Sequence, residues 1–120
     1  MRSQGNNNTA SHPGQGLILP IDAHPEAMLR ADGGVWRNRI QSYDSTFGLE
    51  PTDALTLHWL SQPSEHPSLP ATSVFNDLNS YWDPANPTGS VIVPQTGTTI
   101  TVVGVSAHNS FMQILVAPAK

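Results

Sequence analysis

The sequence predicts an all-β protein: an antiparallel β-sandwich-like domain, or a partial sandwich, with long Pro/Gly-rich loops. Three observations predict it. Leu55, Leu57 and Trp59 alternate with Thr56 and His58, the pattern of a half-buried strand. Thr98 to Val105 is rich in β-branched residues that suit a pleated surface, and Phe111 to Val116 runs back after Ala107-His108-Asn109, giving an antiparallel hairpin. No stretch of ordinary helical length shows helical periodicity, while 11 Pro and 9 Gly punctuate 120 residues.

The chain divides into a flexible lead (1–15), a single β-rich domain (16–117) and a short tail (118–120). The lead is small and polar and cannot bury enough surface to order itself. Its Asn7-Asn8-Thr9 matches a glycosylation sequon. The first apolar run, Gly16 to Ala23, reads as a strand with both faces covered. Leu17, Leu19 and Ile21 fall on one side, Ile18 and Pro20 on the other. Asp32-Gly33-Gly34 is a tight-turn signal and joins Met28–Arg30 to Val35–Arg39. Trp36 to Phe47 is strand-like without clean alternation. Ser61 to Pro70 holds three Pro and no period, so it reads as a loop. Ser73 to Pro87 reads as a structured loop pinned by Phe75, Tyr81 and Trp82. Val91-Ile92-Val93 is a short strand before the turn Pro94 to Gly97.

Composition excludes several function classes. Five Lys plus Arg against nine Asp plus Glu give a net charge of −4. No basic stripe exists to neutralise phosphates or anionic lipid, so no nucleic-acid partner is expected. No run has transmembrane length. The absence of cysteine excludes disulfides and thiolate metal sites. Met1 to Asn8 has no apolar core of a signal peptide. The chain is therefore expected to be cytosolic, or an internal piece of a longer, secreted one.

Candidate chemistry is sparse. A zinc peptidase needs two His one helical turn apart with Glu beside the first. None of His12, His24, His58, His66 and His108 is followed by Glu or has such a partner. Asp22 and His24 share a face if the strand continues, which suits two metal ligands or a strand end facing water. Asp77, Asn79 and Asp83 cluster oxygens as a calcium loop does. However, Tyr81 stands where a third ligand belongs, leaving an irregular calcium site or a turn whose side chains bond their own backbone. Trp36, Trp59, Tyr81 and Trp82 supply either core or a sugar-stacking platform. No Ser lies in a nucleophile elbow.

The order of motifs resembles a known family. His12-Pro13-Gly14-Gln15-Gly16-Leu17-Ile18-Leu19-Pro20-Ile21-Asp22-Ala23-His24-Pro25 is similar to a stretch of the actinobacterial immune inhibitor A-like secreted zinc metallopeptidases. Trp36 to Leu49, Phe75-Asn76-Asp77, Tyr81-Trp82-Asp83-Pro84 and Gly97 to Val116 continue it. The resemblance implies a β-rich region after the zinc-binding core, in the C-terminal part of a secreted hydrolase active in proteolysis. Zinc is expected in the parent's catalytic domain, not here, and no catalytic residue carries over. The partners implied are that catalytic domain and protein substrates, and the isolated chain is expected to be inactive. The alternative reading is a stand-alone secreted β-sandwich module binding carbohydrate or a cell-surface protein.

Overall fold

The computed structural model describes residues 11–16 and 18–120. Among the described residues the fold is all-β apart from one helical turn. That turn, α1, spans Asn38–Gln41. The strands of the described residues follow: β1 (Leu55–Trp59), β2 (Gln62–His66), β3 (Val74–Asn76), β4 (Thr98–Val105) and β5 (Met112–Pro118). They form two antiparallel sheets, β1-β2 and β3-β4-β5, as in a partial sandwich.

The alternating stretch is β1, with Leu55, Leu57 and Trp59 half-buried and Thr56 and His58 exposed. Its partner β2 occupies a stretch the sequence reads as loop. Trp59 pairs with Gln62, leaving a two-residue connection of Leu60 and Ser61. Both have positive φ, 48° and 63°, the geometry of the primed turn that matches strand twist. Pro63 is tolerated because a two-stranded sheet has only edges, so one side of each strand needs no ladder bond.

β4 and β5 form the expected hairpin, closed at Ser106, whose N–H donates to Phe111 C=O at 3.0 Å. Val103 is an extra residue in the ladder, between the pairs Val102–Ile114 and Gly104–Gln113. β3 pairs with the base of β4 through Val74–Thr101, Phe75–Ile100 and Asn76–Thr99. The expected loop from Ser73 to Pro87 therefore opens with a strand.

Among its described residues, the expected strand from Gly16 to Ala23 forms no ladder. Leu17 lies outside the described residues, as do residues 1–10 with the expected lead and sequon. Gly14 and Val91 make one parallel bridge, and Val91 also bridges Tyr81, so Val91–Val93 is a single point of pairing. Pro20 and Pro94 remove donors from both segments. Leu19 and Ile21 pack on the core, whereas Ile18 and Pro20 are exposed, so only one face is covered. Gly14 has φ 77°, and a Cβ there would lie 2.7 Å from both Ile92 and Trp82.

The glycine turn also holds, in short form. Arg30 N–H donates to Gly34 C=O at 2.7 Å, Gly33 takes φ 80°, and Leu29 bridges Val35. The strand expected onward from Trp36 is instead α1 and a turn. Gln41, 2% exposed, explains the change: its Oε1 accepts Met28 N–H at 2.8 Å, and its Nε2 donates to the carbonyls of Met28 and Trp36. An extended chain would carry that side chain away from all three groups.

The core is Tyr81, Val91 and Val93, with Leu19, Ile21, Phe47 and Phe75 against it. Phe75 stacks on Tyr81 at 5.3 Å, and Phe47 meets both edge-on. Trp82 is only half-buried and lies outside this cluster. Tyr81→Ala should therefore cost about 3–5 kcal/mol in urea unfolding. Trp82→Ala should cost clearly less. A larger loss at Trp82 would relocate the core.

Candidate functional site

The chemistry-bearing side chains of the first half meet around Asp44. Asp22, 6% exposed, accepts the His24 backbone N–H on Oδ1 at 2.9 Å. Burial pushes its carboxyl from 3.8 up to about 6; the His24 N–H opposes this and the Asp44 charge adds to it. Asp22 and His24 are thus adjacent, but Asp22 does not face water. The His24 ring turns away from it, with Nδ1 at 2.7 Å from Asp44 C=O. Its Nε2 lies 3.2 Å from both Pro70 C=O and the Thr72 hydroxyl.

Asp44 is 8% exposed, and its Oδ1 has no hydrogen-bond partner among the described residues. Burial raises its pKa above the usual carboxylate value. It lines a cavity of about 400 Å³ together with Glu26, Asp53, Glu65 and His66. The apolar wall of that cavity includes Met28, Leu29, Leu55 and Leu69. His66 is held from behind by Trp36, whose Nε1–H donates to His66 Nε2 at 3.1 Å. Asp44 also borders a second cavity of about 620 Å³, between the 43–55 loop and the tip of the β4–β5 hairpin.

Asp77, Asn79 and Asp83 occupy a different end of the molecule. Asp77 is 3% exposed and accepts four hydrogen bonds. Oδ1 takes the N–H groups of Gly97 and Thr98 at 2.9 and 2.8 Å; Oδ2 takes the N–H and hydroxyl of Thr96 at 2.7 and 2.5 Å. The Thr96 hydroxyl first, and then those backbone donors, hold its pKa below 3.8. Asp83 accepts Ala27 N–H at 2.7 Å and Ala85 N–H at 2.8 Å. Asn79 is exposed. The two carboxylates thus serve separate backbone segments.

The aromatic residues do not form one platform. Trp36 is buried and meets Trp59 edge-on at 6.3 Å. Arg30 and Arg37 lie 4.5 and 5.7 Å from the Trp59 ring centre. Tyr81 is in the core, and Trp82 lies beside Gly14.

The family model described as immune inhibitor A-like metallopeptidase, VEG domain, matches residues 2–114. The chain belongs to this family. No curated protein matches it. Among the described residues no three His, Asp or Glu converge to hold a metal ion. His24 and His66 are engaged by carbonyls and by an indole N–H. Nor is any helix among the described residues long and apolar enough to cross a membrane.

Sequence reasoning missed the Asp44 cavity, whose acids come from four separate segments.

Two pH effects follow. Asp22 binds its proton more tightly when folded, so ionising it opposes folding. The penalty is absent below about pH 4, grows towards pH 6 and is complete above it. A shift of that size is up to about 3 kcal/mol unscreened, and about 1–2 kcal/mol with water and salt screening. Asp22→Asn keeps the acceptor for His24, so it should raise the melting temperature at pH 7 and leave it unchanged at pH 4.

Asp77 has the opposite sign. Its stabilisation is present above its unfolded value of 3.8 and is lost as pH falls through the lower folded value. Asp77→Asn should therefore lower the melting temperature at pH 7. The gap from wild type should close as pH drops well below 4. A gap independent of pH would remove the carboxylate's charge from the account.

Proposed function

We propose that this VEG domain is the non-catalytic accessory region of a secreted, actinobacterial immune inhibitor A-like zinc metalloendopeptidase. It would lie C-terminal to the H-E-x-x-H-bearing catalytic domain and pack against it. Family membership supports the parentage. The observation that carries the packing is the β4–β5 hairpin. β5 is the outer strand of its sheet, and Ile114, Leu115 and Val116 are 51–60% exposed. Phe111 at the tip is 71% exposed.

No Lys, Arg, Asp or Glu occurs between Thr98 and Ala119. Edge strands that stay in water carry charge, proline or bulges along their length. β5 has proline only at its last residue, Pro118. An apolar, uncharged edge of this kind suits burial against a folded neighbour.

The purified chain should bind a hydrophobic dye. Adding the catalytic domain of an immune inhibitor A-like peptidase in trans should quench that signal. Leu115→Lys should abolish both dye binding and complex formation, with a stability change within about 0.5 kcal/mol for an exposed site. A dye-negative chain, or a complex indifferent to Leu115→Lys, would remove β5 as the docking face.

A further inference from the structure

His24 ties separate segments together through its ring. Nδ1 lies 2.7 Å from Asp44 C=O, on the loop that leads to Phe47. Nε2 lies 3.2 Å from Pro70 C=O and 3.2 Å from the Thr72 hydroxyl, on the segment that leads into β3. A carbonyl oxygen only accepts, so Nδ1 carries a hydrogen. In the neutral ring that leaves Nε2 bare. It then accepts the Thr72 hydroxyl, which can turn either way, and Pro70 C=O receives nothing from the ring. In the imidazolium Nε2 carries a hydrogen as well, and both carbonyls are served. The two bonds are then charge-assisted, roughly twice as strong as neutral ones.

We propose that His24 is a proton-operated clasp: a proton taken up at Nε2 fastens the 44–48 loop to the 70–72 segment. Two backbone bonds close the same seam. Gly48 N–H donates to Thr72 C=O at 2.9 Å, and Ala23 N–H to Ser45 C=O at 3.2 Å. The titratable groups around the ring are Asp22 and Glu26 on its own segment, Asp44 on the loop and His66 near Asp44. Pro70-Ala71-Thr72 brings none. Asp22 takes up its own proton at about pH 6, so its attraction for the charged ring fades on acidification. The ties to Asp44 and Pro70 do not fade, because their acceptors are carbonyls, which keep no proton. The clasp therefore holds in acid, where an ion pair to a carboxylate would let go. Histidine ordinarily changes charge between about pH 5 and 8, and the seam tightens as pH falls through that range. The loop it holds is one wall of the 620 Å³ cavity. This inference does not depend on the docking of β5.

The test is NMR of the full chain, labelled with nitrogen-15, at about pH 8 and about pH 5. At the higher pH the His24 ring should be the Nδ1–H tautomer. At the lower pH both ring nitrogens should carry hydrogen. Amide exchange of Gly48 and Ala23, corrected for the intrinsic rate and taken relative to Val91, should slow about tenfold from the higher pH to the lower. Val91 N–H donates to Tyr81 C=O in the core, so the ratio removes any change in global stability. His24→Gln can still donate to a carbonyl but does not titrate, and should remove the change. Asp22→Asn should keep it. Should His24→Gln fail to fold, Thr72→Val deprives the neutral ring alone of its partner. That variant should match wild type at the lower pH and exchange faster at the higher one. An Nε2–H tautomer at the higher pH overturns the proposal. So does a flat ratio in the wild type, a change that survives His24→Gln, or a Thr72→Val chain that exchanges like wild type throughout. A change lost in Asp22→Asn also overturns it, and gives the effect to that carboxyl.

Discussion

The loops of this protein carry more backbone N–H groups than its short ladders can use, and buried side chains answer them. Among the described residues Asp22, Gln41, Asp44, Ser64, Asp77, Asn86 and Ser90 are buried, against six buried apolar residues. An unpaired buried N–H costs about as much as a lost hydrogen bond, so Asp22, Gln41, Ser64, Asp77 and Ser90 act as ties. Gln41 fixes the 28–36 turn on α1, and Ser64 accepts Ala31 N–H at 2.7 Å to bring β2 onto that turn. Asp77 does the same for the 96–98 turn and the start of β4. Asp83 and Ser90 close the loop between Tyr81 and Val91.

This division of labour gives the acids different characters. Asp77 sits among donors and is stabilised as an anion. Asp22 has one backbone donor against the cost of burial, and burial prevails. Among the described residues no donor reaches Asp44 Oδ1, while its own carbonyl receives His24. The same residue type thus spans a structural clasp, a titrating strain and an open acceptor, according to how many N–H groups the chain brings to it.

Legibility in the sequence followed the same physics. β1, β4 and β5 were readable because side-chain alternation or β-branched density marks a strand whatever surrounds it. β2 was not. Its turn uses Leu60 and Ser61 in the left-handed region, where Gly or Asn would have announced it, and Pro63 argued against a strand. The run after Gly16 has the apolar pattern of a strand, but Pro20 removes a ladder donor from it. Asp77, Asn79 and Asp83 were visible as oxygen donors, yet oxygen-rich loops serve cations and backbone amides alike. The acidic cavity had no signature, since Glu26, Asp44, Asp53 and Glu65 are brought together only by the fold.

Among the described residues, the strand that pairs with the β4–β5 hairpin is β3, at the hairpin's base. β3 pairs with residues 99–101 of β4, and the Val103 bulge lies beyond that contact. Past the bulge, a gap of about 620 Å³ separates the tip from the 43–55 loop. Mechanically the hairpin is a lever clamped at one end. A load applied at Phe111 is borne by these three residue pairs together with the Val102 N–H to Ser73 C=O bond, and passes through Phe75 into the stacked ring of Tyr81.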